Sequence, residues 1–325
     1  MRYARLAEIG RAHLEAEVDR PALERVKRRL LRAIVPHPER FRLLVRLGNT
    51  FKPLLPGALA RQIPTLPKPR LTAPQATVHT TRRVIALAGC VQSVMTPATG
   101  AALAQILGTL GVTVDMPASA GCCGALSLHL SAHSEAHDYM RRNIDAWWPL
   151  IEAGAEAILV SASGCGSMVK EYGEALQNDP DYAEKAARVA ALACDPSEWL
   201  LERAGEIPFV AANRGTVAFH APCSLQHAQR LQGGVETLLQ QAGYRLTSVH
   251  DSHLCCGSAG SYSILQPMLS QLLRHQKLEA LQAGQPDCIA TANVGCQMHL
   301  QSGSETPVCH WLDLCADALA PVGGL

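Results

Sequence analysis

Aromatic side chains are scarce in this chain of 325 residues, with 4 Phe, 6 Tyr and 4 Trp, too few for the stacking platforms that hold single-stranded nucleic acid. An excess of either charge is also missing. The 29 Lys and Arg nearly balance 28 Asp and Glu, so whole-molecule electrostatics point to neither nucleic acid nor an acidic substrate. No uncharged apolar run reaches bilayer length, and the N-terminus MRYARLAEIGRAHLEAE lacks the apolar core of a signal peptide. A cytoplasmic protein is expected. No G-x-G-x-x-G follows a strand-like run, and there is no P-loop and no G-x-S-x-G, which excludes the recognisable nucleotide pockets and serine nucleophiles. What the chain does have is 12 cysteines. In a reducing compartment, and in a chain long enough to bury its own core, they invite a metal reading rather than a disulfide framework.

Charge is uneven locally. Residues 21–52 carry Arg25, Lys27, Arg28, Arg29, Arg32, Arg40, Arg42, Arg46 and Lys52 against Glu24 and Glu39. Leu23, Val26, Leu30 and Ile34 recur at helical spacing, which predicts a basic amphipathic helix, with a second around 41–47. Such a helix can meet an acidic partner or anionic lipid; the plainer expectation is an apolar stripe packed on the protein and a solvated basic face. Pro53, Pro56, Pro64, Pro67, Pro69 and Pro74 then mark 53–83 as an extended connector.

From residue 84 the pattern is α/β. The run Val84-Ile85-Ala86-Leu87 predicts a buried strand, 98–110 a helix and 112–114 a second strand. An internal repeat sets the domain organisation. Cys90, Cys122 and Cys123 meet Cys223, Cys255 and Cys256 at an offset of 133, and Cys165 meets Cys296 at 131. The surroundings agree: 84–87 matches 217–219, Leu110-Gly111-Val112 matches Ala242-Gly243-Tyr244, and 157–160 matches 288–290. A period this long means duplicated domains rather than a solenoid. The expected organisation is a helical basic segment at 1–52, the connector at 53–83, and homologous domains at 84–210 and 211–325.

Each copy reads Cys-x31-Cys-Cys-Gly, then about forty residues to a Cys preceded by Gly. Cys90, Cys165 and Cys223 fall where a predicted strand ends, the edge of an open α/β sheet where ligands collect. Converging thiolates repel unless a cation neutralises them, and iron-sulfur clusters and zinc favour all-sulfur sites. Adjacent cysteines fit different irons of a cluster better than the Cys-x2-4-Cys knuckle of structural zinc. Gly124, Gly257, Gly164 and Gly295 are expected to allow positive φ and close approach of the backbone to a bulky group, or simply a tight turn. Cys194, Cys288, Cys309 and Cys315 stand outside the repeat and read as small core hydrophobes.

At these residues the sequence resembles the cysteine-rich CCG domain family, found duplicated in the heterodisulfide reductase B subunit and in iron-sulfur subunits of glycolate, lactate and glycerol-3-phosphate oxidising complexes. The stretches LAEIGRAH from Leu6, FKPLLP from Phe51, SASGCGSMVKEYG from Ser161, HAPCSLQHAQ from His220 and NVGCQMHLQ from Asn293 are most similar to the glycolate oxidase iron-sulfur subunit family, over nearly the whole chain. The resemblance implies two tandem CCG domains, with Cys90, Cys122, Cys123 and Cys165 ligating one cluster and Cys223, Cys255, Cys256 and Cys296 another, of a four-iron, four-sulfide type, cubane or non-cubane. Heterodisulfide reductase members add a fifth cysteine in a terminal Cys-x-x-Cys; Met168 and His299 stand there in this chain. The resembling subunits also carry two ferredoxin-type cysteine motifs ahead of the repeat, whereas no cysteine precedes Cys90, as expected of a truncated subunit or a natural short form.

The implied function is electron transfer within a 2-hydroxy-acid oxidising complex: FAD-containing partner subunits oxidise the substrate, and this chain, itself without a catalytic residue, passes electrons to an acceptor. That acceptor can be quinone-linked, which would place the protein at the inner face of the membrane. A second possibility is disulfide-type reductive chemistry directly at a cluster, as in heterodisulfide reductase; a third is a colourless zinc scaffold. Two groups of histidines add candidates. His129, His133 and His137 are expected to line one helix face, polar or metal-binding, and His220 or His227, flanking Cys223, can hydrogen-bond a cluster sulfur.

Overall fold

The computed structural model describes residues 3–54 and 82–320. Most of the proline-rich connector, 55–81, lies outside the described residues. The chain opens with three helices, α1 (Tyr3–Glu17), α2 (Ala22–Ile34) and α3 (Pro38–Phe51). Arg20, between the first two, holds Glu15 at 2.7 Å and Glu24 at 2.9 Å. The expected packing of the α2 stripe is not found: Leu23, Val26 and Leu30 are more than half exposed, and α2 has no buried residue. Its link to the body is polar, the Arg32–Glu135 ion pair at 2.6 Å. Helix α3 is seated by apolar contact, through Val45 in a cluster with Val94, Met95, Ala162 and Val294.

Two four-stranded parallel sheets follow. Strands β1 (Arg83–Ala86), β2 (Thr113–Asp115), β3 (Ile158–Leu159) and β4 (Ala193–Cys194) lie in the order β2-β1-β3-β4. Strands β5 (Thr216–His220), β6 (Arg245–Leu246), β7 (Cys288–Thr291) and β8 (Val308–His310) repeat it as β6-β5-β7-β8. The register repeats as well, for Ile85 faces Ile158 and Ala218 faces Ile289. The duplication of cysteine spacing is therefore a duplication of topology.

Alternation along the central strands sorts side chains onto two faces. Val84, Ala86, Val217 and Phe219 face one cluster that also holds Leu103, Ile106, Trp199, Leu238, Trp311 and Leu312. This core belongs to both halves. Helix 311–317 packs on helix 97–109, and helix 196–201 packs on helix 234–241, so each half covers the other's corresponding helix in a pseudo-twofold manner. The outer faces have separate cores. Ile85 and Ile158 pack with Met140, Ile144 and Trp147 of helix His133–Glu152, and Ala218 and Ile289 with Leu278 and Leu281 of helix Pro267–Gln282. Parallel sheets covered on both faces in this way read as continuous apolar runs, which is why β1 was visible in sequence.

Candidate metal centres

The loops after β1, β3, β5 and β7 leave the sheets at their carboxyl edges, and the edges of the two halves abut. The backbone N–H of Ser163 donates to the Ala292 carbonyl at 3.0 Å. The Gln229 amide donates to the Ser163 carbonyl at 2.9 Å, and Asn293 donates to the Ser163 hydroxyl at 3.3 Å. Cys165 and Cys296 sit in the first turn of the helices that begin there, Ser163–Lys170 and Val294–Gln301.

Within each copy the sulfurs form a chain in the same order. Cys90 meets Cys122, Cys122 meets Cys123, and Cys123 meets Cys165. In the second copy Cys223 meets Cys255, Cys255 meets Cys256, and Cys256 meets Cys296. The first thiol of each Cys-Cys pair is strongly acidified by neighbours that donate to it, and in the second chain Cys256 also lowers Cys296, to about 6. Cys123 and Cys90 hold Cys122 well below the usual thiol range, and Cys223 and Cys256 pull Cys255 down to about 2. The donors Cys90 and Cys123, and Cys223 and Cys256, are pushed up by those same contacts and by burial. Four converging, poorly solvated sulfurs with an ionised member are a donor set for a thiophilic cation, so the residues present fit an iron-sulfur cluster in each half.

The glycine of each Cys-Cys-Gly triplet has a specific role. Gly124 has φ +89 and Gly257 φ +86, and an added Cβ would strike the carbonyl oxygen of Ala136 or Ser270. The Gly257 N–H also donates to the Cys255 sulfur at 3.3 Å. Gly164 and Gly295 differ from expectation. They lie inside helices without positive φ and instead leave room for Asn293 and Ser258, which a Cβ would approach to 2.9 and 3.0 Å.

Several residues that fix these loops carry no motif. In the first half, Asn143 donates to the Cys122 carbonyl at 2.9 Å and accepts from the Gly121 N–H at 2.8 Å, while the Tyr172 hydroxyl donates to the Cys123 carbonyl at 2.9 Å. In the second, the fully buried Lys277 donates to the carbonyls of Asp251 and Ser252 at 3.2 and 2.9 Å. Nothing in the local sequence marks these positions, because their partners are backbone atoms 21 to 49 residues away.

The remaining candidates sort plainly. His129 ends one helix and His133 begins another, with Ser131 at φ +60 between them, so the three histidines do not share a helix face. His227 is exposed, its ring 3.5 Å from the His253 carbonyl. Met168 is buried in the first outer core, and His299 lies 3.1 Å from the Ser270 hydroxyl, which donates to the Gly257 carbonyl at 2.7 Å. Cys315 is a core hydrophobe and Cys194 packs against the same core. Cys288 and Cys309 differ in touching each other across β7 and β8, the contact lowering one thiol and raising the other. His220, at the end of β5, is fully buried with neither ring nitrogen hydrogen-bonded, and its ring lies with the Cys256 and Cys296 sulfurs inside a span of 4.8 Å.

The two sheets with their cysteine-bearing edges define a duplicated cysteine-rich protein, and the sequence matches the cysteine-rich domain family (CCG) over residues 84–170 and 217–301. It is 48% identical over 320 residues to the glycolate oxidase iron-sulfur subunit of Escherichia coli (strain K12), covering 98% of this chain and 78% of that one. A probable glycolate oxidase iron-sulfur subunit of Bacillus subtilis (strain 168) is 28% identical over 69% of this chain and 50% of its own length. Lactate utilization protein A of Geobacillus thermodenitrificans (strain NG80-2) is 27% identical over 62% of this chain and 82% of its own length. The chain thus belongs to the CCG cysteine-rich family and, within it, to the family of glycolate oxidase iron-sulfur subunits. Among the described residues no helix is long and apolar enough to cross a membrane.

Proposed function

We propose that this chain is the electron-transfer subunit of a complex that oxidises glycolate, with Cys90, Cys122, Cys123 and Cys165 holding one four-iron cluster and Cys223, Cys255, Cys256 and Cys296 a second. The observation that carries this reading is the pair of sulfur chains, matched in order of contact, on two sheet edges that abut. The clusters, when bound, supply one-electron transfer. The chain's own residues orient the sulfurs, bury Cys90, Cys122 and Cys123 of the first quartet and neutralise charge. The Arg142 guanidinium does the last of these near Cys122. Electrons arrive from an FAD-containing partner and leave for an acceptor, which is quinone-linked if the complex works at the inner face of the cell membrane. The cysteine domains span 84–210 and 211–325, following the helical segment 1–52 and the connector 53–83.

Iron, acid-labile sulfide and zinc analysis with EPR, on anaerobically purified protein and on Cys123→Ser and Cys256→Ser, tests the assignment. Iron and sulfide together, each variant losing its own share, is the expected result; zinc without sulfide would leave only a structural scaffold. One observation favours a second reading, redox chemistry performed directly at the second site: Cys223 and Cys255 are half-buried, while Cys90 and Cys122 are buried. Thiol-disulfide turnover by this chain alone, without a flavoprotein, would establish it.

A further inference from the structure

The two metal centres are built alike in their sulfurs and differ in what stands behind them. Leu87 and His220 occupy the same place in the repeat, each three residues before the first cysteine of its quartet. Leu87 is apolar and packs in the cluster that contains Cys123. His220 is equally buried, yet it brings two polar nitrogens, neither of which has a protein partner. Burying an unsatisfied ring nitrogen costs about 1–3 kcal/mol, and an apolar residue serves the fold at the equivalent position. The ring therefore still needs a partner. It faces the sulfurs of Cys256 and Cys296.

Resting on the cluster reading above, we propose that His220 donates a ring N–H to the Cys296 sulfur of the second cluster and thereby sets that cluster's reduction potential above the value its sulfurs alone would give. A hydrogen bond to a cysteinyl sulfur withdraws electron density and favours the reduced cluster. Direct ligation of iron is the less fitting role. Four sulfurs already complete the usual ligand set, and the first quartet has the same four with Leu87 behind it. Lys277, a buried side chain of the same region, is directed to the carbonyls of Asp251 and Ser252, whereas the His220 ring faces the sulfurs.

The test is a redox titration monitored by EPR on the full chain, anaerobically loaded, as wild type, His220→Leu and His220→Gln. H220L is expected to keep wild-type iron and sulfide and to lower one of two potentials, by about tenfold in the reduction equilibrium or 59 mV for one electron. H220Q, which retains an N–H donor, recovers part of that shift. Potentials unchanged in H220L would overturn the proposal. Pulsed EPR of the wild-type protein with 15N-labelled histidine decides independently of any variant's folding. A weak nitrogen coupling is expected, and the strong coupling of a directly bound imidazole would overturn the donor role. Wild-type protein without iron and sulfide would defeat the cluster reading itself, a failure distinct from clusters present with unmoved potentials.

Discussion

The hydroxyls of Ser163 and Ser224 lie 2.8 Å apart, joining the residue two before Cys165 to the residue after Cys223. Around this contact the Ser163 backbone also bonds Ala292 and Gln229, so the loops that present the two sulfur quartets are one hydrogen-bonded unit. Clusters held there are neighbours. EPR of the fully reduced protein is therefore expected to show spin-spin broadening, which disappears in either Cys123→Ser or Cys256→Ser. Two independent, unbroadened signals in the wild-type protein would contradict this placement.

A good deal of this architecture was legible beforehand. Strands buried on both faces leave unbroken apolar runs, which placed a strand at Val84 to Leu87 where β1 runs from Arg83 to Ala86, and paired cysteine spacings exposed the duplication. Long-range packing was not legible. Nothing near Trp311 says that its helix covers helix 97–109 of the other half, because shared cores have no sequence period. The histidine face failed for a local reason, the backbone reversal at Ser131. Sequence also treated His220 and His227 alike; burial separates them, with one ring enclosed among sulfurs and the other exposed.

Gly257 is expected to be irreplaceable for the second centre. Its φ of +86 lies in the left-handed region, and a Cβ would collide with the Ser270 carbonyl. Gly257→Ala should cost about 1–3 kcal/mol from backbone strain alone. In urea titration the midpoint falls, and iron analysis shows the second share lost while the first is kept. Gly124→Ala gives the mirror result.

Because Trp199 and Trp311 belong to one core, the halves should unfold together. Trp311, nearly inaccessible to solvent, is expected to cost about 3–5 kcal/mol when replaced by Ala. Near-ultraviolet circular dichroism and far-ultraviolet dichroism should then move to lower denaturant in a single coincident transition. Two separated transitions would mean that the halves are independent.

Asp195 caps helix 196–201 by accepting from the Ser197 N–H at 2.9 Å, and burial pushes its carboxyl up from 3.8 to about 6. A carboxyl raised in the folded state binds its proton more tightly there than when unfolded, so its contribution to stability is full below about pH 4. That contribution is lost as pH rises through about 6. The two units correspond to at most about 3 kcal/mol. Asp195→Asn keeps the accepting oxygen without the buried charge. Its stability should lack this fall between pH 4 and 6 and exceed wild type at pH 7, as read from urea curves across that range.

Iron removal should expose the two quartets unequally. Cys255 and Cys122 are the strongly acidified thiols of their quartets, but Cys255 is half-buried whereas Cys122 is buried, and alkylation requires access as well as thiolate. With the metal chelated under reducing conditions, iodoacetamide followed by peptide mass spectrometry is expected to label Cys255 first. Cys122 and Cys123 should follow only as the loop held by Asn143 and Tyr172 opens. Tyr172→Phe removes the hydroxyl that donates to the Cys123 carbonyl, so it should speed labelling of Cys123 and leave Cys255 unchanged. Equal acceleration at both sites would show that the loops open together, with the contacts at Ser163 rather than those at Tyr172 setting the barrier.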